Sequence, residues 1–370
     1  MEIGTRVVRA GLPKPSQGAP FFPGPTFASA YHAAGDPAEV SFTYGRFHNP
    51  TWTRYEDALS ELEGGRAQVL ASGMAAVAAV LGVTLRPGSV AVLPSDSYYT
   101  TRLLASGYFA EMGVTVKVAP TAGAGQEAQL DGATLLWLES PSNPGLDVCD
   151  IRALVDAAHR RDVLVAVDNT TATVLGQNPL DLGADFSLAS DTKALTGHAD
   201  LLLGHVAVGD DRWARKLHTW RSQTGAIPGP MEVWLAHRSL ATLDLRLARQ
   251  CDTALAVARF LSRRSDVVSV RYPGLPGDPA HAIASRQMQR FGPVVSFVLP
   301  GRARAEAFLG ASQLVYEATS FGGVHTSAER RARWGGDAIP EGFIRLSLGC
   351  EDPADLLADI AQALDKAATA

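Results

Sequence analysis

The segment VLVAVDNTTATVLGQNPLDLGADFSLASDTKALTGH (Val163–His198) decides the fold. It contains two short apolar runs, VLVAV (163–167) and FSLA (186–189). A strand with one wet face alternates apolar and polar residues, whereas a strand buried on both faces reads as a nearly continuous apolar run. Each run ends in chemistry: Asp168 follows the first, and Ser190, Thr192 and Lys193 follow the second. Only five of the 33 basic Lys and Arg residues are lysine, so a need for charge does not explain Lys193. An amine can deprotonate and form a Schiff base with a carbonyl cofactor, and a guanidinium cannot.

The same pattern extends in both directions. Ser89–Leu93, Val114–Val118, Thr134–Leu138 and Leu201–Val208 read as further strands. The run Ala75–Leu85 reads as a buried helix, being too short to span a bilayer, and Thr101–Met112 as another helix. Asp150 is placed to cap a helix with Ile151, Leu154, Val155 and Ala158 on one face. Alternating strands and helices of this kind predict an α/β fold, a mostly parallel sheet covered by helices. Residues 1–50, rich in Pro and Gly at their centre, read as an extended arm without a core of its own, and 51–230 as the main domain. A long helical stretch, Met231–Leu261, leads into a smaller C-terminal α/β domain completing 231–370. That domain has strands Val294–Leu299 and Phe343–Leu348. Its last helix is opened by Asp352 and Pro353, with Leu356, Leu357, Ile360 and Leu364 as its buried stripe.

Bulk properties narrow the function classes. The chain has 370 residues, 46% hydrophobic and 19% charged, as an ordinary globular protein does. A formal charge of −5 offers no basic footprint for nucleic acid. Cys149, Cys251 and Cys350 are too far apart for metal-ligand spacing and odd in number, so neither a metal site nor a disulfide framework is expected. The N-terminal residues have no apolar signal core, and a reducing cytoplasm is the expected location.

In open parallel sheets ligands sit at the carboxyl ends of the strands, where the candidate residues fall. Ser72, Gly73 and Met74 open the apolar helix, and a helix N-terminus presents N–H groups to a phosphate. Ser190 and Thr192 can add hydroxyls. Asp168 can answer a protonated pyridine nitrogen, Tyr98 can lie on a ring, and Asn143 follows the strand TLLWL. These features describe a pyridoxal 5′-phosphate site. Taken singly, each also fits a plainer explanation: a solvated lysine, a capping aspartate, a helix cap, a packed tyrosine. Neither a strand-linked G-x-G-x-x-G nor a P-loop competes.

The wording of the motifs goes further. YGRFHNPT (44–51), LEGG (62–65), ASGMAA (71–76), ESPSNPGLDVCDI (139–151), VAVDNTTAT (165–173), PLDLGADFSLASDTKALTGHAD (179–200) and FIRLSLGCEDPADL (343–356) occur in order along nearly the whole chain. The chain resembles the Cys/Met-metabolism family of pyridoxal-phosphate enzymes, which includes cystathionine γ-synthase, the cystathionine γ- and β-lyases and methionine γ-lyase. The resemblance implies a fold-type I enzyme, a homotetramer built as a dimer of dimers with shared active sites. It implies that Lys193 binds the cofactor covalently, Asp168 pairs with the ring nitrogen, with Thr170 beside it, and Tyr98 stacks on the ring. Gly73, Met74, Ser190 and Thr192 would hold the phosphate, and Tyr44 and Arg46 would reach it from the neighbouring subunit. Asn143 would lie near the ring hydroxyl. Arg345 would clamp the substrate α-carboxylate, a task suited to guanidinium geometry. Ser320 would lie near the lysine and substrate, and His198 is read as structural.

The implied chemistry is carbon–sulfur cleavage of a sulfur amino acid. Lys193 moves the Cα proton, with Tyr98 as its partner acid or base. The leading expectation is γ-elimination of cystathionine. Methionine γ-lyase, γ-synthase and β-lyase activities are the alternatives, and a pyridoxal-phosphate-binding regulator with little turnover is an alternative of another class. Thr43, Tyr99, Thr100, Thr319 and His325 depart from the family spelling where the distal half of a substrate would lie.

Overall fold

The computed structural model describes residues 1–369. Its larger part is a seven-stranded sheet, and the chain enters it through two helices, α1 (Ile3–Arg9) and α2 (Pro50–Glu63). Then come β1 (Arg66–Leu70), α3 (Gly73–Thr84), β2 (Val90–Pro94), α4 (Tyr99–Leu104), β3 (Thr115–Ala119), β4 (Leu135–Glu139), α5 (Ile151–His159), β5 (Leu164–Asp168), β6 (Phe186–Ala189) and β7 (Gly204–Val208). The strands lie in the order β1-β7-β6-β5-β4-β2-β3. β7 alone runs antiparallel to its neighbours.

The continuous apolar runs have the cause expected of them. Along β4, Leu135 and Trp137 pack into one core with α3, while Leu136 and Leu138 pack into another with α5. All four are fully buried. Both faces of the sheet are therefore dry, at about 1.5–3 kcal/mol per large side chain. Gly82 of α3 admits the Trp220 ring, which a Cβ there would meet at 2.1 Å.

α6 (Asp211–Thr224), α7 (Pro230–Leu240) and α8 (Leu243–Leu261) lead to a five-stranded sheet. It is built from β8 (Ser269–Arg271), α9 (His281–Gln287), β9 (Val294–Val298), α10 (Gly301–Ala311), β10 (Tyr316–Glu317), β11 (Ser327–Arg330), β12 (Phe343–Ser347) and α11 (Pro353–Ala368). The order is β10-β11-β12-β9-β8. Asp352 caps α11 as expected, its side chain accepting from the Ala354 N–H. Among the described residues no helix is long and apolar enough to cross a membrane.

Three expectations need correction. The N-terminal arm is not extended throughout: it opens with α1, which packs into the core of the main domain. Val7 and Ala10 are 2% exposed, packed with Trp52, Leu59, Val233 and Leu243. The stretch Met231–Leu261 is two helices. Thr242 breaks it because the Ser239 carbonyl is taken by the Thr242 N–H (3.2 Å), the Thr242 hydroxyl (3.0 Å) and Arg246 Nη2 (3.0 Å). Leu201–Leu203 is not strand, since the Thr192 main chain and hydroxyl hold the Leu203 backbone in place of a neighbouring strand.

Candidate active site

The parallel strands deliver their carboxyl ends to one cavity of about 460 Å³. Gly73, Met74, Tyr98, Asn143, Asp168, Thr170, Ser190, Thr192, Lys193, Ser320 and Arg345 all line it. Tyr44 and Arg46 do not. The Arg46 guanidinium lies 5.5 Å from the Tyr44 ring and 4.9 Å from that of Phe47, and donates to the Ser222 carbonyl.

Each wall follows from local structure. Ser72 caps α3, its Oγ accepting from the Ala75 N–H at 3.1 Å. Gly73 lies against Ser190, whose Cβ would stand 2.6 Å from a Cβ added there. This glycine lets the first turn of α3 and the Ser190 hydroxyl share one side of the cavity. The Ser190 N–H donates to Thr170 Oγ1 (2.8 Å), and the Thr170 hydroxyl donates to Asp168 Oδ1 (2.6 Å). The Thr170 N–H donates to the same oxygen at 3.0 Å. Among the described residues no hydrogen bond falls on Asp168 Oδ2. Thr192 Oγ1 is engaged with both backbone groups of Leu203.

Lys193 Nζ donates to Ser320 Oγ at 2.9 Å and stands 5.4 Å from the Phe321 ring centroid. Burial, and then the charge of Arg345, lower its pKa to about 8 against the opposing pull of Asp168 and Glu329. Ser320 has φ +77°, in the left-handed region, and its carbonyl accepts from Arg345 Nη2 at 2.9 Å. Arg345 also donates from Nη1 to Asn143 Oδ1 at 2.7 Å. Burial lowers Arg345 to about 10, which leaves it cationic at neutral pH.

Several residues here escaped the sequence reading. Glu139 ends β4 beside Asp168 of β5. Its carboxylate accepts from the Tyr98 N–H (2.7 Å) and the Asn143 N–H (2.9 Å), holding both residues at the cavity. Burial, then the charge of Asp168, raises its pKa well above the ordinary range, and burial also raises Asp168. A strand-end acid was the signal that marked Asp168, and it would have marked Glu139 too. Glu329 pairs with Arg345, and Arg331 and Trp334 line the cavity wall, with no motif to announce them. Behind the lysine turn, buried Asp191 accepts from Tyr55 (2.9 Å) and bonds His205 Nδ1 (2.5 Å), whose Nε2 meets Glu63 at 3.1 Å. A histidine within the apolar strand GHVAV was the available hint. His198 is exposed, not part of the core, and its Nδ1 bonds the Thr196 carbonyl (2.5 Å).

A lysine and a strand-end aspartate facing one cavity, with a capped helix N-terminus at its side, define the class: a fold-type I pyridoxal-phosphate enzyme. The profile of the Cys/Met metabolism PLP-dependent enzymes matches residues 5–365, and the chain belongs to that family. It is 59% identical over 368 residues to a Streptomyces coelicolor protein provisionally named a cystathionine gamma-lyase, covering 98% of this chain and 93% of the relative. It is 39% identical over 376 residues to the cystathionine gamma-synthase of Mycobacterium bovis, covering 97% and 96%. Among solved structures, apo CalE6, a methionine gamma lyase from Micromonospora echinospora, superposes with TM-score 0.93 at 38% identity, covering 98% of this chain and 99% of that one.

The cavity suits the family's cofactor on its own geometry. Asp168 Oδ2 is available to a protonated ring nitrogen, Lys193 is an amine of lowered pKa, and Gly73 leaves room beside an N–H-lined helix start.

Proposed function

We propose that the protein cleaves cystathionine by γ-elimination, releasing cysteine, 2-oxobutanoate and ammonia with the uptake of one water. The carrying observation is the linked set Lys193–Ser320–Arg345: one serine accepts from the lysine amine through Oγ and from the guanidinium through its carbonyl. This holds a proton-transfer group next to a carboxylate-binding group, as chemistry at the Cα of an amino acid requires. The S. coelicolor relative supports cystathionine as the substrate.

Pyridoxal phosphate, held through Lys193 until substrate arrives, would supply an electron sink for the pair left when the substrate Cα–H bond breaks. Arg345 and Asn143 orient the carboxylate. Lys193, displaced by the substrate amine, takes the Cα proton as a neutral amine, a form its lowered pKa favours, and a second proton then leaves Cβ so that the pair left there expels the γ-sulfur. Tyr98, on the open side of the cavity, gives a proton to the departing sulfur. Asp168, fixed by Thr170, would hold the ring nitrogen, while Gly73, Met74, Ser190 and Thr192 would hold the phosphate, Thr192 once its hydroxyl turns from the Leu203 carbonyl. Tyr44 and Arg46 serve the cavity of a neighbouring subunit in a cytoplasmic homotetramer. Their place outside this chain's own cavity supports the shared site, and the free Cys149, Cys251 and Cys350 fit a reducing compartment.

Purified holoenzyme given cystathionine with no thiol acceptor is expected to accumulate 2-oxobutanoate and cysteine. Cystathionine formed from an O-acylhomoserine and cysteine, with no oxo acid, would instead make it a synthase. Methanethiol from methionine as the faster product would make it a methionine γ-lyase.

A further inference from the structure

The β11–β12 register sets Glu329 directly opposite Arg345, an opposed cross-strand charge pair. Arg345 Nη2 donates both to a Glu329 oxygen and to the Ser320 carbonyl, and Nη1 donates to Asn143. A guanidinium offers a carboxylate two forks, Nε with Nη2 and Nη1 with Nη2. Both forks use Nη2, and both Nη2 protons are already committed. No bidentate fork is open to an arriving carboxylate until one acceptor withdraws.

Glu329 can withdraw without stranding its charge. Its Oε1 also accepts from Arg331 Nη1 (3.1 Å), and its Oε2 from Trp334 Nε1 (2.8 Å) and Arg333 Nη2 (3.4 Å). The Ser320 carbonyl has no such freedom. Its residue sits in a left-handed conformation, and its hydroxyl is bonded to Lys193. Replacing Glu329 by a substrate carboxylate also exchanges like for like, so the buried guanidinium never loses a counter-charge.

We propose that Glu329 is an internal stand-in for the substrate carboxylate: it fills the fork of Arg345 in the resting protein and yields it to the substrate while staying bound to Arg331, Arg333 and Trp334. Glu329 is then a positioning residue that sets affinity for carboxylate ligands as a class. This rests on Arg345 being the carboxylate site of the function proposed above.

The test uses butyrate, a carboxylate with no amine to react at the cofactor. It is titrated by calorimetry into holoenzyme of wild type, Glu329→Gln, Glu329→Asp and Arg345→Ala. Gln keeps an acceptor for Arg331 but loses the charge, and Asp keeps the charge but falls a methylene short of Arg345. Both are expected to bind butyrate about ten- to a hundredfold more tightly, the worth of one competing hydrogen bond to a charged group. The KM for cystathionine should fall in the same proportion, with kcat moving much less, and Arg345→Ala should abolish butyrate binding. Should Glu329→Gln fail to fold, Glu329→Asp carries the test. Unchanged or weaker butyrate binding in these variants, with binding still dependent on Arg345, overturns the stand-in and leaves the proposed function intact. Butyrate binding that survives Arg345→Ala overturns both.

Discussion

Lys193 is one amine held between opposing influences. Burial and Arg345 favour its neutral form, while Asp168 and Glu329 favour the cation, and the balance falls near 8. An ordinary lysine, at about 10.4, would be almost wholly protonated there. Only the neutral amine condenses with an aldehyde. The rate at which cofactor-free protein takes up pyridoxal phosphate, followed by absorbance, should therefore climb with pH and level off above about 8; a climb continuing toward 10 would contradict the burial argument. Arg345 is tested by Arg345→Ala and Arg345→Lys. A charge-assisted carboxylate contact is worth about 1.5–3 kcal/mol, so KM should rise by roughly ten- to a hundredfold in steady-state assays. Lysine should recover little of this, because it has no fork. At this scale the sequence singled out Lys193, Asp168 and Arg345, which lie in spelled motifs, and the structure brings all three to one cavity. Glu139 opens a spelled motif but was given no role, and Glu329 lies in none. Their importance lies in what stands across the sheet from them, Asp168 and Arg345 respectively.

Elements hold these residues through buried charge. His205 of β7 bridges Asp191, in the lysine turn, to Glu63 at the end of α2, and all three are at most 1% exposed. Burial alone would lower the imidazole pKa, but Asp191 and Glu63 overcome it and raise it to about 10. The folded-state value lies above the unfolded one, so the stabilisation is complete below about 6.5 and fades as pH climbs through about 10. Chemical denaturation across that window should show stability declining with pH in wild type and a flatter profile in His205→Asn. That variant strands two carboxylates and should lose about 3–5 kcal/mol. Strand and helix positions were largely legible because apolar runs and capping aspartates act locally. The Thr242 break was not, since it depends on a guanidinium one turn on, and neither was the loss of strand at Leu201–Leu203, which depends on Thr192.

At the scale of the whole molecule, the arm carries Tyr44 and Arg46 away from this chain's own cavity, while α1 anchors its start beside α2 and α7. The proposed sharing of sites between subunits makes a specific prediction. Lys193→Ala and Arg46→Ala subunits, each inactive alone, should regain activity when mixed, denatured and refolded together. Half the pairs would be mixed and one site in each would be intact, giving about a quarter of wild-type activity. No recovery on mixing would place Arg46 with its own chain's cavity and refute the shared site.

The sequence alone determined the α/β class, the family and the candidate amine, because burial on both sheet faces and strand-end chemistry are written in adjacent residues. Only the tertiary structure decided which charges face one another. The Glu329–Arg345 pair arises from strand register, the Glu139–Asp168 pair from strand order, and the His205 bridge from a helix end and a turn meeting behind the lysine. Electrostatic energies depend on separation and burial in space, and neither is encoded at any single position along the chain.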